Sequence, residues 1–160
     1  RLPGRNFPFR GKKGDLYEGG IRVPTIVHWP GVLQPGQCST PIHIIDWMPT
    51  LCALAGYQST DALKWDGSNI WSTLTGEAEL AERDLYWAGT NFRSSAIRRG
   101  DWKLIVHSTG KATIRELFNL RDDPNESQDL AEKMPLKVTA LAQRLASIAK
   151  NDRDAEVVQE

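Results

Sequence analysis

The chain has 160 residues, 40% of them hydrophobic and 25% charged, which is enough for a modest globular domain with its own core. Twenty Lys plus Arg balance twenty Asp plus Glu, so no global basic field points to nucleic acid or to an anionic membrane surface. No apolar run is long enough to span a bilayer as a helix, and Cys38, Cys52 and three scattered histidines make neither a disulfide framework nor a zinc spacing.

The first residue is Arg1 rather than Met, which reads as a piece of something longer. Residues 1–8 are rich in Pro, Gly and Arg and are expected to be irregular. The next stretch, from Phe9 to Pro30, reads F-R-G-K-K-G-D-L-Y-E-G-G-I-R-V-P-T-I-V-H-W-P. Gly11 and Gly14 bracket Lys12 and Lys13, so the backbone can take turns closed to other residues. Such a loop can aim an ammonium group at an anion; taken alone it is equally a solvated surface loop feeding a strand. Gly19 and Gly20 allow a second sharp turn before a strand expected from Ile21 to Trp29. In that strand Val23, Thr25 and Val27 share one face and Ile26 and His28 the other, with Pro24 suiting an edge.

Pro30-Gly31 and Gln34-Pro35-Gly36 mark turns. A helix follows, with Asp46 placed to cap it, Pro49 in the first turn and Gly56 placed to end it. Met48, Leu51, Cys52 and Ala55 follow helical spacing, which predicts a buried face. A loop over residues 57–68 closes on Asp66-Gly67. Asn69 to Leu74 reads as a short helix or turn stopped by Gly76, with Ile70, Trp71 and Leu74 as packing residues.

From Asp84 the pattern shifts toward alternation. Leu85 to Trp87, Ser94 to Arg98, Trp102 to His107 and Glu116 to Asn119 read as short strands, with Gly100-Asp101 as a tight connection. They predict a small antiparallel sheet of about four strands. Asp123, Pro124 and Glu126 have the spacing of a capping box that starts a helical turn. Pro135 opens the last helix, in which Val138, Leu141, Leu145 and Ile148 form one face able to cover the sheet. The tail after Lys150 is polar and expected to fray.

Several of these segments together resemble one enzyme family, the formylglycine-dependent sulfatases. The lysine stretch is similar to the pattern R-G-x-K-G-x-x-x-E-G-G-x-R-x-P through Arg10, Gly11, Lys13, Gly14, Glu18, Gly19, Gly20, Arg22 and Pro24. His43, Asp46, Pro49, Thr50, Leu51, Leu54, Ala55 and Gly56 resemble the family's H-x-x-D-x-x-P-T-L-L-x-L-A-G helix. D-G-S-N-I-W-S-T-L-T-G-E, then A-I-R-R-G-D-W-K-L-I and E-L-F-N-L-R-D-D-P-N-E resemble later segments in the family's order. The wording after Asp46 and around Trp71 is similar to the arylsulfatase B-like branch.

The resemblance implies an α/β fold of alkaline-phosphatase/sulfatase type. Here it is mainly the C-terminal α+β part: a small antiparallel sheet packed by a C-terminal helix, plus a strand and a helix belonging to the larger catalytic domain. Residues 1–80 would be the remnant of that domain, 81–150 the C-terminal subdomain and 151–160 a tail. The resemblance makes Lys13 the catalytic lysine that binds a sulfate oxygen. It implies a calcium ion and a formylglycine made from a C/S-x-P-x-R motif, acting on a sulfated carbohydrate or an aryl sulfate. Family members are often periplasmic, secreted or lysosomal.

This chain departs from that pattern: Cys38 runs into Ser39-Thr40-Pro41 and Cys52 into Ala53-Leu54-Ala55, and no aspartate pair precedes the lysine loop. The nucleophile and the metal ligands are therefore expected in a missing N-terminal catalytic domain, and the chain alone is expected to be inactive. Asn91 and Arg93, in T-N-F-R-S-S, are substrate-binding candidates beside the plainer reading of an exposed hairpin turn. Glu18 and Arg22 read as structural partners around the lysine loop, and Trp65, Trp71 and Trp102 as core more than as sugar platforms. Two other functions compete: a phosphonate or phosphate ester hydrolase of the same superfamily, and a non-enzymatic module that binds another protein.

Overall fold

The computed structural model describes residues 6–57, 65–89 and 93–150. They fall into two compact units, one of residues up to Pro24 together with those from Glu82 onward, the other Thr25–Ala81.

The first unit is built on a meander. β1 (Asp84–Ala88), β2 (Ser94–Arg99), β3 (Trp102–Ser108) and β4 (Thr113–Asn119) pair antiparallel with their sequence neighbours, in the order β1-β2-β3-β4. The β2–β3 hairpin turns on Gly100 and Asp101, with Arg99 opposite Trp102. Alternation sorts the side chains to two faces. Ile97, Leu104 and Leu117 face α4 (Pro135–Ala149) and pack with its Leu141 and Leu145. Val138 and Ile148 complete that helical stripe, as their spacing predicts.

Ala96, Ile105 and Phe118 form the opposite face, and the chain's own N-terminal segment covers it through Leu16, Tyr17 and Ile21. Thus the segment that carries the lysine loop packs on the sheet. α1 (Glu18–Ile21) is a single turn at the end of the loop. The strand expected from Ile21 to Trp29 is absent: residues 22–29 carry no regular structure. A strand exists only with a ladder partner, and among the described residues these have none. Val23 and Ile26 are 73% and 93% exposed.

In the second unit, a 3₁₀ turn at Ile44–Asp46 leads into α2 (Trp47–Leu54), and α3 (Trp71–Leu74) follows. Asp46 does not cap α2 with its side chain. It closes the turn before it: its carboxylate accepts the His43 N–H at 2.7 Å, and its other oxygen accepts the Ser68 N–H at 3.0 Å. Thr50 relays the same link, donating to the Asp46 carbonyl while accepting from the Ile70 N–H. The predicted buried face of α2 is also corrected. Met48 and Leu51 are more than half exposed, in line with exposed Ile44. The pattern is an apolar stripe, but nothing among the described residues covers it.

Asp123-Pro124-Glu126 does not start a helix either. A turn forms at Pro124 and Asn125, and Asp123 accepts bonds from Ser127 Oγ and the Gln128 N–H. Glu126 takes a left-handed backbone, φ 57°, and is fully buried. Among the described residues no helix is long and apolar enough to cross a membrane.

Candidate functional site

The lysine loop is a ring closed by its own backbone. The Gly19 N–H donates to the Arg10 carbonyl at 2.7 Å and the Asp15 N–H to the Lys12 carbonyl at 2.9 Å. The Asp15 carboxylate accepts the Lys12 N–H at 2.9 Å. Gly14 turns the chain at φ 96°. The closure is so tight that a Cβ on Gly20 would lie 2.1 Å from the Asp15 carbonyl, and one on Gly19 2.5 Å from that of Arg10. Only hydrogen fits at these two positions, which explains the glycine pair. Lys12 and Lys13 stand exposed at the tip of the ring.

The base of the ring is held by buried charge. Lys103 of β3 lies on the same face as Ile105, and its ammonium reaches Glu18 Oε1 at 2.9 Å. It also lies 2.8 Å from Glu126 Oε1, a charge contact without hydrogen-bond alignment. The other Glu126 oxygen accepts the Glu18 N–H at 2.6 Å. All three side chains are essentially inaccessible. Burial pushes the Glu126 carboxyl above its ordinary range, with the Lys103 ammonium pulling against it. Arg22 lies 3.9 Å from the second Glu18 oxygen, so the Glu18–Arg22 pair read from the sequence is real but peripheral to Lys103.

A second, half-buried group sits beside it. The Tyr17 hydroxyl donates to Glu116, which also meets Arg10 at 3.2 Å and His107 Nε2 at 3.2 Å. The Arg10 guanidinium lies 4.0 Å over the Tyr17 ring and donates to the Glu126 carbonyl. Neither group was visible in the sequence as a site. The one available signal was Lys103 itself, a charge at an inward strand position between hydrophobic neighbours.

Of the predicted substrate contacts, Arg93 is exposed just before β2, its carbonyl pinned by the Ser108 N–H at 2.7 Å. It lies at the same end of the sheet as His107, whose ring is 6.3 Å from that of Tyr17. Asn91 lies outside the described residues. Trp102 packs with the α4 side of the sheet, with the Lys137 ammonium 4.9 Å over its ring, and Trp71 meets Trp29 in a tilted contact, 5.4 Å between ring centroids.

Among the described residues no group of three or more His, Cys, Asp or Glu side chains gathers as a metal site. Cys52 sits within α2 and Cys38 is exposed, neither in a C/S-x-P-x-R motif.

The sheet thus carries one helix on one face and the segment with the glycine-closed lysine loop on the other. Residues 11–151 match the family described as N-sulphoglucosamine sulphohydrolase, C-terminal, and the chain belongs to that family of sulfuric ester hydrolases. It is 31% identical to arylsulfatase J of Mus musculus, over 92% of this chain and 32% of that protein. It is 34% identical to a sulfatase of Formosa agariphila, over 86% of this chain and 28% of that protein. The crystal structure of Ps i-CgsB superposes with a TM-score of 0.82 at 27% identity, covering 93% of this chain and 33% of that one. The chain thus spans about a third or less of the length of these relatives.

Proposed function

We propose that this chain forms the C-terminal part of a sulfatase and that Lys13 is its catalytic lysine, holding a sulfate oxygen in the active site. The carrying observation is the exposed lysine pair at the tip of a ring whose base is anchored in the buried face of a sheet. A cation borne on a fixed loop costs little reorganisation when negative charge shifts onto the sulfate oxygens during transfer.

Calcium and the formylglycine nucleophile then come from an N-terminal catalytic domain outside these residues. Formylglycine would supply the attacking oxygen, and calcium would neutralise the sulfate; this chain's own part is to bind and orient the ester. The exposed stripe of Ile44, Met48 and Leu51 supports the presence of such a domain, since apolar residues in register on one helical face are rarely left bare. The substrate class is a sulfated carbohydrate or an aryl sulfate, and Arg93 and Asn91 remain its candidate binding residues. A neighbour at 27% identity, Ps i-CgsB, has been solved in complex with k-i-k-neocarrahexaose, which supports the carbohydrate arm.

Lys13→Ala in the full-length sulfatase is expected to lower kcat on an aryl sulfate by roughly 10²–10³-fold, the scale of losing one preorganised oxyanion partner. The circular-dichroism spectrum and melting temperature should be unchanged, because the side chain is exposed. Wild-type turnover in that variant removes Lys13 from the mechanism. Lys12→Ala, one residue away, is the control expected to keep most activity.

A further inference from the structure

A ring of backbone hydrogen bonds fixes the shape of the lysine loop but not its direction. Direction comes from where the ring is fastened, and both of its ends are fastened to one residue. At the entrance, Arg10 Nη1 donates to the Glu126 carbonyl at 3.2 Å. At the exit, the Glu18 N–H donates to the Glu126 carboxylate at 2.6 Å. Lys13 lies between these two points.

Glu126 is also in a backbone conformation that a non-glycine residue rarely keeps without reason, φ 57°. The turn that imposes it is closed by the Glu126 N–H on the Asp123 carbonyl at 3.2 Å, and by Asp123 on Ser127 and Gln128. Its effect is to point a carboxylate inward, under the sheet face, where the Lys103 ammonium lies 2.8 Å from it and meets the Glu18 carboxylate in turn. A surface turn has no need of a fully buried acid. A loop that must present a cation in one direction does need an anchor whose own geometry is locked from behind.

Resting on the reading of Lys13 as the sulfate-holding residue, we propose that Glu126, backed by Lys103 and gripping Arg10, is the positioning residue that sets the direction of Lys13. It touches no substrate. It acts through the loop, so its contribution to turnover exists only while Lys13 is there to be positioned.

That dependence gives the test. In the full-length sulfatase, Glu126→Gln keeps the shape of the side chain and removes the charge that meets Lys103. It should lower kcat roughly 10–100-fold, the effect of a misplaced catalytic group, with KM changed less. In a Lys13→Ala background the same substitution should lower kcat no further. Amide hydrogen exchange over residues 9–22 should speed up, while residues 94–108 of the sheet stay protected. Arg10→Met, at a side chain 43% exposed, gives a second variant that keeps the core intact and should show the same non-additivity.

Equal losses in both backgrounds would assign Glu126 to general stability and overturn the positioning role, as would unchanged exchange over residues 9–22. Full activity in Lys13→Ala alone would instead sink the reading of Lys13, and this inference with it.

Discussion

Tyr17 shows how one side chain joins the loop to the sheet. Its ring lies edge-on to Phe118, 6.3 Å between centroids, and its hydroxyl donates to Glu116. Burial, then Glu116 as hydrogen-bond acceptor and as a nearby negative charge, push the phenol above its ordinary value of 10.0. The folded protein therefore favours the neutral form. The stability this gives is fully present below pH 10.0 and is lost as the pH rises from there through the folded value, because the unfolded chain releases its proton first. Tyr17→Phe should be destabilised by about 1 kcal/mol at neutral pH through loss of the Glu116 bond. It should also lose less stability than the wild type between about pH 9 and about pH 11. Urea unfolding at the two pH values checks both statements; parallel alkaline losses would show that Tyr17 ionises as freely in the folded protein as in the unfolded chain.

The helix and strands behave as their spacing says. Leu141 is 4% exposed and sits between Ile97, Leu104 and Leu117. Leu141→Ala should therefore destabilise the first unit by about 2–5 kcal/mol, read as a fall in the urea midpoint with an unchanged slope. All four strands, their turn at Gly100-Asp101 and the start of α4 at Pro135 were legible in the sequence, because alternation, turn residues and helical periodicity are local signals. The failures share a cause too. Ile21 to Trp29 read as a strand because Val23, Ile26 and Val27 are strand formers, yet a ladder needs a second chain segment that the local pattern does not contain. Glu126 read as the third residue of a helix, and its carboxylate is instead committed to Lys103 and Glu18. The lysine loop was legible as a glycine-bracketed turn carrying two lysines. Its anchors were not, since nothing local to Lys103 or Glu126 says that they meet.

Across the whole molecule, several large apolar side chains stand exposed. The second unit carries its apolar stripe outward, and Ile26, Ile44, Met48 and Leu51 are each more than half exposed. Under the proposed function that surface belongs against the catalytic domain. The 160-residue chain prepared alone should bind a hydrophobic dye such as ANS and hydrolyse no aryl sulfate, and adding glutamates at Met48 and Leu51 should abolish the dye signal. Sulfate release by the chain alone would mean that it carries its own nucleophile. Distance along the chain adds a last consequence. The Glu18 amide and its carboxylate acceptor are separated by 108 residues, and Glu18 and its ammonium partner by 85. A ribosome needs roughly 5–20 s to cover the longer gap. During that time Glu18 lacks the buried ammonium that meets it in the folded chain, so the loop can be fixed in place only after the strand and the turn that anchor it have both been made.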